Sequence, residues 1–259
     1  MKIFQIDAFA DKLFTGNPAA VCPLEEWISD ELMQKIAAEN NLAETAFLVP
    51  KNDGYEIRWF TPTVEVDLCG HATLASAYTL VEHLQFKGNE IMLYSPRSGK
   101  LPVRREGERY IMNFPADEIA PVSPPNDLLE SLNRIPLECY KGKTDYMLVF
   151  QNQQQITDLD PDFRLMKKVK ARGIICTAPG ESCDFVSRFF GPQSGIDEDP
   201  VTGSAHTTLI PYWSARLEKK TLTARQISKR GGTIYCEHLG DRVEIGGTAK
   251  TYLVGEISL

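Results

Sequence analysis

The sequence predicts an α+β protein built as two pseudo-symmetric halves, and three observations predict it. First, a segment recurs. Tyr55-Glu56-Ile57-Arg58-Trp59-Phe60-Thr61-Pro62 is answered by Phe185-Val186-Ser187-Arg188-Phe189-Phe190-Gly191-Pro192, with Arg58 and Arg188 separated by 130 residues and Pro62 and Pro192 by the same 130. An internal repeat of this kind marks a duplicated structural unit. Second, a short apolar strand pattern precedes each copy, at residues 46–49 and 173–176. Third, each copy leads through a turn into a helical pattern that opens with glycine. Gly70 and Gly203 stand 133 residues apart, so the second copy carries three extra turn residues.

The elements follow in order. The chain opens with a two-residue alternation, Ile3, Gln5 and Asp7 against Phe4, Ile6 and Ala8, which reads as a strand. Residues 30–39 read as an amphipathic helix. Ser29 or Asp30 caps it, Leu32, Met33, Ile36 and Ala37 form its apolar stripe, and Asn40-Asn41 ends it. After His71, Leu74, Ala77, Tyr78, Val81 and Leu84 follow the three-and-four spacing of a buried helical face. After Ser204, Leu209, Ile210, Trp213 and Leu217 nearly repeat it; Pro211 is expected to kink that helix or shorten its first part, because it has no N–H to donate. Pro121, Pro124 and Pro125 form the clearest linker. They place one domain at 1–118, completed by a last strand near 250–259, and a second at 119–249. Glycines at 231–232 and 246–247 read as hairpin turns, not as a phosphate loop, since no helical pattern follows them.

Composition excludes several classes. With 259 residues and 42% hydrophobic side chains, the chain can bury proper cores without disulfide or metal staples. A net charge of −7 argues against a nucleic-acid partner, which demands clustered lysine and arginine. The one basic run, Lys167-Lys168-Val169-Lys170, reads as a solvated helix end. No run reaches the ~18 apolar residues of a membrane span. The first residues show no signal-peptide apolar region, so a cytoplasmic location is expected. Six cysteines and four histidines are scattered without C-x-x-C or zinc-ligand spacing; free thiols and no metal site are the expectation.

Two glycine-opened helix starts, one per half, are expected to converge on a shared cleft. Each offers unpaired backbone N–H groups and a partial positive charge, a site for a carboxylate or similar anion. A duplicated scaffold without a shared site is the plainer alternative. Glu44 lies between the first helix and a strand apolar on both faces, where lost hydration would raise its pKa toward a proton shuttle's range. The plainer alternative is a solvated glutamate, or one paired with an arginine such as Arg58. His71 at the first helix start is expected to be neutral, since the helix terminus disfavours its charged form; it contacts either a ligand or a neighbouring carbonyl. Asp199, crowded with Asp197 and Glu198 before the second helix, is either a cap or a group facing the cleft. Ser204 is a helix-start residue or a hydroxyl contact. The stretch from Thr202 to His206 lacks the second glycine of G-x-S-x-G, so a hydrolase nucleophile elbow is disfavoured.

Together, F-T-G-N-P-A-A-V (14–21), N-L-A-E-T-A-F (41–47), R-W-F-T-P-T-V-E-V (58–66), C-G-H-A-T (69–73) and D-P-V-T-G-S (199–204) resemble the phenazine-biosynthesis F-like isomerases over essentially the whole chain. The resemblance implies the diaminopimelate-epimerase fold, two domains each wrapping a mixed sheet around a central helix. It further implies a homodimer, a biosynthetic role, and an isomerase with no metal or organic cofactor. By the same resemblance Glu44 is the acid/base. His71, Asp199 and Ser204 position substrate and assist the proton relay, with Gly70, Ala72, Thr202 and Gly203 at the helix starts and Asn17 at the cleft rim. Epimerases and racemases of this fold use two thiols. This chain has Cys69 at the first position but Thr202 at the second, and a hydroxyl is too weak an acid to replace a thiolate.

The expected function is therefore proton transfer between carbons of a small carboxylate-bearing metabolite by one base, Glu44, with Cys69 a small buried residue. A two-base epimerase or racemase, and a non-catalytic binder of a metabolite or protein, are the rivals.

Overall fold

In the computed structural model, which describes residues 1–259, the chain divides into two units: residues 1–113 with 246–259, and residues 114–245. The sequence reading put the first division at 118/119. The proline run lies inside the second unit, where Ala120–Pro121 pairs as a short strand and Pro125 precedes a helix.

In the first unit, β1 (Lys2–Ala8) runs antiparallel to β2 (Asn17–Pro23) and to the last strand of the chain, Ala249–Glu256. Helix α1 (Asp30–Asn40) then carries the chain to β3 (Glu44–Lys51), parallel to β2. A parallel pair needs such a crossover because a tight turn cannot reverse the chain twice. Ser29 starts α1 by accepting the Leu32 N–H at 3.3 Å, and Asn41 ends it in the left-handed conformation, φ 49°. Met33, Ile36 and Ala37 of its stripe pack on Cys22, Phe47 and Phe60. β4 (Gly54–Phe60) returns antiparallel to β3, β5 (Glu65–Val66) pairs with its end, and α2 (Gly70–Glu82) follows. β6 (Glu90–Ser95) lies parallel to β4, β7 (Gly99–Glu106) antiparallel to β6, and β8 (Arg109–Pro115) antiparallel to β7.

Helix α2 is buried on nearly every face from His71 to Leu80, more than the expected stripe. Its polar residues make this possible. Thr73, Ser76 and Thr79 each donate to the carbonyl four residues back, at 2.5, 2.7 and 2.9 Å, so they need no partner outside the helix. A helix buried all round is the hub of the sheet that wraps it.

The second unit repeats this order. After β9 (Ala120–Pro121) and α3 (Asn126–Glu130) come β10 (Glu138–Lys141), antiparallel to β11 (Tyr146–Val149). Two short helices, α4 (Gln153–Thr157) and α5 (Phe163–Met166), lead to β12 (Ile174–Pro179), parallel to β11. Lys167 closes α5, as the basic run suggested. β13 (Phe185–Gly191) is antiparallel to β12, β14 (Ile196–Asp199) pairs with its end, and α6 (Ala205–Leu217) follows. β15 (Thr221–Gln226) lies parallel to β13 and β16 (Gly232–His238) antiparallel to β15; β17 (Arg242–Gly247) and β18 (Ala249–Glu256) end the chain. The pairing of β1 to β7 thus recurs in β10 to β16.

The repeat extends to side chains. Arg58 grips Glu65 through two bonds of 2.7 and 2.9 Å; Arg188 grips Glu198 through two of 2.7 and 2.9 Å. Each guanidinium lies over the phenylalanine two residues on, Phe60 or Phe190.

Two expectations are corrected. Pro211 does not shorten α6, which runs over 13 residues from Ala205 to Leu217. The Thr207 carbonyl, which Pro211 leaves without its helical donor, accepts the Asp117 backbone N–H at 3.0 Å. Gly246 and Gly247 finish strand β17 and are not a hairpin turn. Gly247 is required by the Phe9 ring, which lies where a Cβ would be, 2.3 Å from that position.

Candidate active site

Four residues meet at the start of α2. Asn17 opens β2, Glu44 opens β3 opposite Ala19 of β2, Cys69 precedes α2, and His71 lies in its first turn. Because β2 and β3 are parallel neighbours, Asn17 and Glu44 come to the same end of the sheet, against which α2 packs. His71 Nε2 lies 3.1 Å from Glu44 Oε2. Cys69 Sγ is 3.5 Å from His71 Nδ1 and 3.9 Å from Nε2, and the Asn17 amide nitrogen is 3.3 Å from Nδ1. Glu44 and His71 side chains are 14% and 8% exposed, and Glu44 Oε2 itself is buried. Asn17, expected at a rim, is wholly buried, because its strand is covered on both faces.

The electrostatics reverse two expectations. Burial acts to raise Glu44, but it is outweighed by the charge of His71 and by hydrogen bonds from His71 and Cys69, so Glu44 is held below the usual carboxylate range. Burial likewise acts to lower His71, yet its contacts with Cys69 and Glu44 raise it well above its ordinary value. The Cys69 thiol is itself pushed up to about 11, chiefly by burial, so near neutral pH the anion beside His71 is Glu44. The resting pair is carboxylate and imidazolium. Glu44 pairs with His71 and not with Arg58, whose fork is filled by Glu65 and Asp30.

Cys69 makes no side-chain cap to α2, and the first turn holds no acidic residue, so its amides face the site without a built-in anion. Gly70 and Ala72 belong to this turn.

In the second unit the expected residues form a network of their own. The Thr202 hydroxyl donates to Asp199 Oδ2 at 2.5 Å, and the Thr202 carbonyl accepts from His206 Nδ1 at 2.8 Å. Gly203 accepts the His206 N–H at 3.0 Å and is buried. Ser204 begins α6 without capping it; its exposed hydroxyl accepts from Arg172 at 2.8 Å. Burial holds His206 neutral, its pKa lowered to about 4.

Three residues escaped the sequence reading. Gln226 accepts the Thr202 N–H at 2.8 Å and donates to the Asp199 carbonyl at 2.7 Å and the Thr202 hydroxyl at 3.2 Å. Arg172 forks onto buried Asp145 and reaches Ser204. Neither Gln226 nor the Arg172–Asp145 pair lies in a motif; only the fold brings them to the start of α6. As for metals, Glu44, Cys69 and His71 offer three ligand atoms within 4.8 Å of one another.

Residues 6–255 match the family described as phenazine biosynthesis-like protein. A Pseudomonas aeruginosa protein named as an uncharacterized isomerase is 50% identical, covering 100% of this chain and 99% of its own. The crystal structure of an Enterococcus faecalis phenazine biosynthesis protein of the PhzF family is 44% identical, with a TM-score of 0.97 over 100% of this chain and 99% of its own. A hydroxyproline epimerase of Agrobacterium vitis, 12% identical, shares the fold alone, with a TM-score of 0.63 over 98% of this chain and 91% of its own. The mixed α+β, epimerase-like fold is thereby shown. No helix is long and apolar enough to cross a membrane.

Proposed function

The chain belongs to the phenazine biosynthesis-like family, and on that premise we propose that it is an isomerase in which Glu44 moves a proton between two carbons of a small carboxylate-bearing metabolite. The observation that carries this reading is the buried Glu44–His71 pair at the uncapped start of α2, 3.1 Å apart.

The chemistry follows from the charges. Ionised Glu44 takes a proton from a substrate carbon and, as the carboxylic acid, returns it to another carbon on the same face. His71 holds the carboxylate ionised and oriented at rest. A substrate anion that shares the His71 charge weakens its hold on Glu44, and the carboxylate becomes a stronger base as the site fills. The amides of Gly70, His71 and Ala72 favour the negative charge of a bound carboxylate. Asp199, Thr202, Gly203 and Ser204, braced by Gln226, belong to the same reading as substrate-positioning residues, as does Asn17 through His71.

Two-base chemistry fits less well. The Cys69 thiol is pushed up to about 11, away from the thiolate. Thr202, its counterpart in the repeat, donates its hydroxyl hydrogen bond to Asp199. A homodimer also belongs to this reading. The last strand exposes Tyr252, Leu253 and Val254, and Phe14 packs edge-on against Tyr252 at 5.8 Å, an apolar patch suited to a second copy.

The test is solvent-deuterium incorporation into a panel of cyclic and open-chain small acids. Replacing Glu44 with Gln should slow exchange by about 10²–10⁴-fold, the usual worth of a general acid/base, with the fold retained by circular dichroism. Equal exchange by both proteins overturns the assignment.

A further inference from the structure

We propose that Glu44, Cys69 and His71 bind one thiophilic divalent cation, zinc above all, and that its occupancy shuts off proton transfer. The binding site stands on geometry alone; only the inhibition rests on the function proposed above.

The three residues supply a carboxylate oxygen, a sulfur and an imidazole nitrogen, the donor set a catalytic-type zinc site takes from protein. All three ligand atoms lie within 4.8 Å of one another, the one such group among the described residues. Two of the separations are 3.1 Å (oxygen to Nε2) and 3.9 Å (sulfur to Nε2). With metal–ligand lengths of about 2.0–2.3 Å and tetrahedral angles, donors sit roughly 3.3–3.8 Å apart. The oxygen–nitrogen and sulfur–nitrogen pairs lie within a few tenths of an ångström of that range, and Cys69 Sγ, which rests nearer Nδ1 at 3.5 Å, turns toward Nε2 on binding.

The surroundings suit a metal as well. Asn17 meets the ring nitrogen that faces away from Glu44, the outer contact that orients a metal-binding histidine. Cys69 and His71 hang on the start of α2 and Glu44 on β3, both rigid elements. On binding, the Cys69 thiol and the His71 imidazolium each lose one proton to solvent, and the cation takes their place between the three donors. Glu44, tied to the metal, is then unavailable to a substrate carbon.

Cobalt(II) serves as the probe because a thiolate ligand gives it a near-ultraviolet charge-transfer band and tetrahedral geometry gives intense visible bands. Titration of the metal-free protein should develop both to one equivalent, and zinc should abolish them. Cys69→Ser should lose the charge-transfer band, Glu44→Gln should weaken binding at least about tenfold, and Cys183→Ser should change nothing. A flat spectrum at stoichiometric cobalt, or a charge-transfer band that survives Cys69→Ser, overturns the site. Should Cys69→Ser not fold, the decision passes to the native protein: zinc must raise its melting temperature and do so less in Glu44→Gln, and equal shifts overturn the site. Zinc should also abolish deuterium exchange reversibly by chelation; exchange unaffected by bound zinc overturns the inhibition. If no acid in the panel exchanges, the function fails while the cobalt bands still report the site.

Discussion

His71 and Glu44, 27 residues apart in sequence, form a buried ion pair of 3.1 Å at the start of the central helix of the first unit. Each raises the other's preference for charge, and this sets a pH window. Glu44 is lowered from its ordinary 4.5, so its contribution is present above that value and is lost as pH falls through its lowered pKa. His71 is raised above 6.5, so its contribution is full below that value and is lost as pH rises through its raised pKa. The difference in melting temperature between the native protein and Glu44→Gln should be greatest between pH 4.5 and 6.5. A difference that does not vary with pH contradicts the pair.

His206 predicts the opposite response. Buried and neutral, with its pKa lowered to about 4, it binds a proton in the unfolded chain before it does in the folded one. Its contribution is present above 6.5 and is lost as pH falls toward 4, by about 3 kcal/mol at the scale of 1.4 kcal/mol per pKa unit. His206→Gln, which does not titrate, should flatten that part of the stability profile. An unchanged acid slope in thermal unfolding would count against it.

The repeated arginines should not be equal. Removing Arg58 leaves Glu65 its bond to Arg97 at 2.8 Å. Removing Arg188 takes the fork from Glu198 and also strips donors from the Ile156 and Leu159 carbonyls. With each charged hydrogen bond worth about 1.5–3 kcal/mol, Arg188→Met should destabilise the protein more than Arg58→Met. Denaturant midpoints decide; the reverse order refutes the argument.

Gly247→Ala should cost about 1–3 kcal/mol, the usual penalty of overpacking, because the added methyl meets the buried Phe9 ring. Trimming the ring with Phe9→Leu should return part of that loss, a coupling measurable in a double-mutant cycle. Strict additivity would mean the contact is not the cause.

Much of the fold was legible. The offsets of 130 and 133 residues mark the two units, and Ser29 and Asn41 bound α1 because capping chemistry is local. The proline run misled, since Pro121 joins a strand pair whose partner, Tyr140, lies far along the chain. How α6 keeps its length across Pro211 was not legible for the same reason: the donor that satisfies the Thr207 carbonyl is Asp117, 90 residues earlier.

For the site, the motifs brought Glu44, His71 and Asn17 forward as candidates, and the chain alone determined that two similar units would each present a helix start. Only the tertiary structure decided the charges. Burial was expected to raise Glu44 and a helix start to keep His71 neutral; their contact reverses both, because a Coulomb interaction at 3.1 Å in a poorly solvated place outweighs either effect acting singly. Local chemistry is written in neighbouring residues. The charge of a buried group depends on what the fold sets beside it.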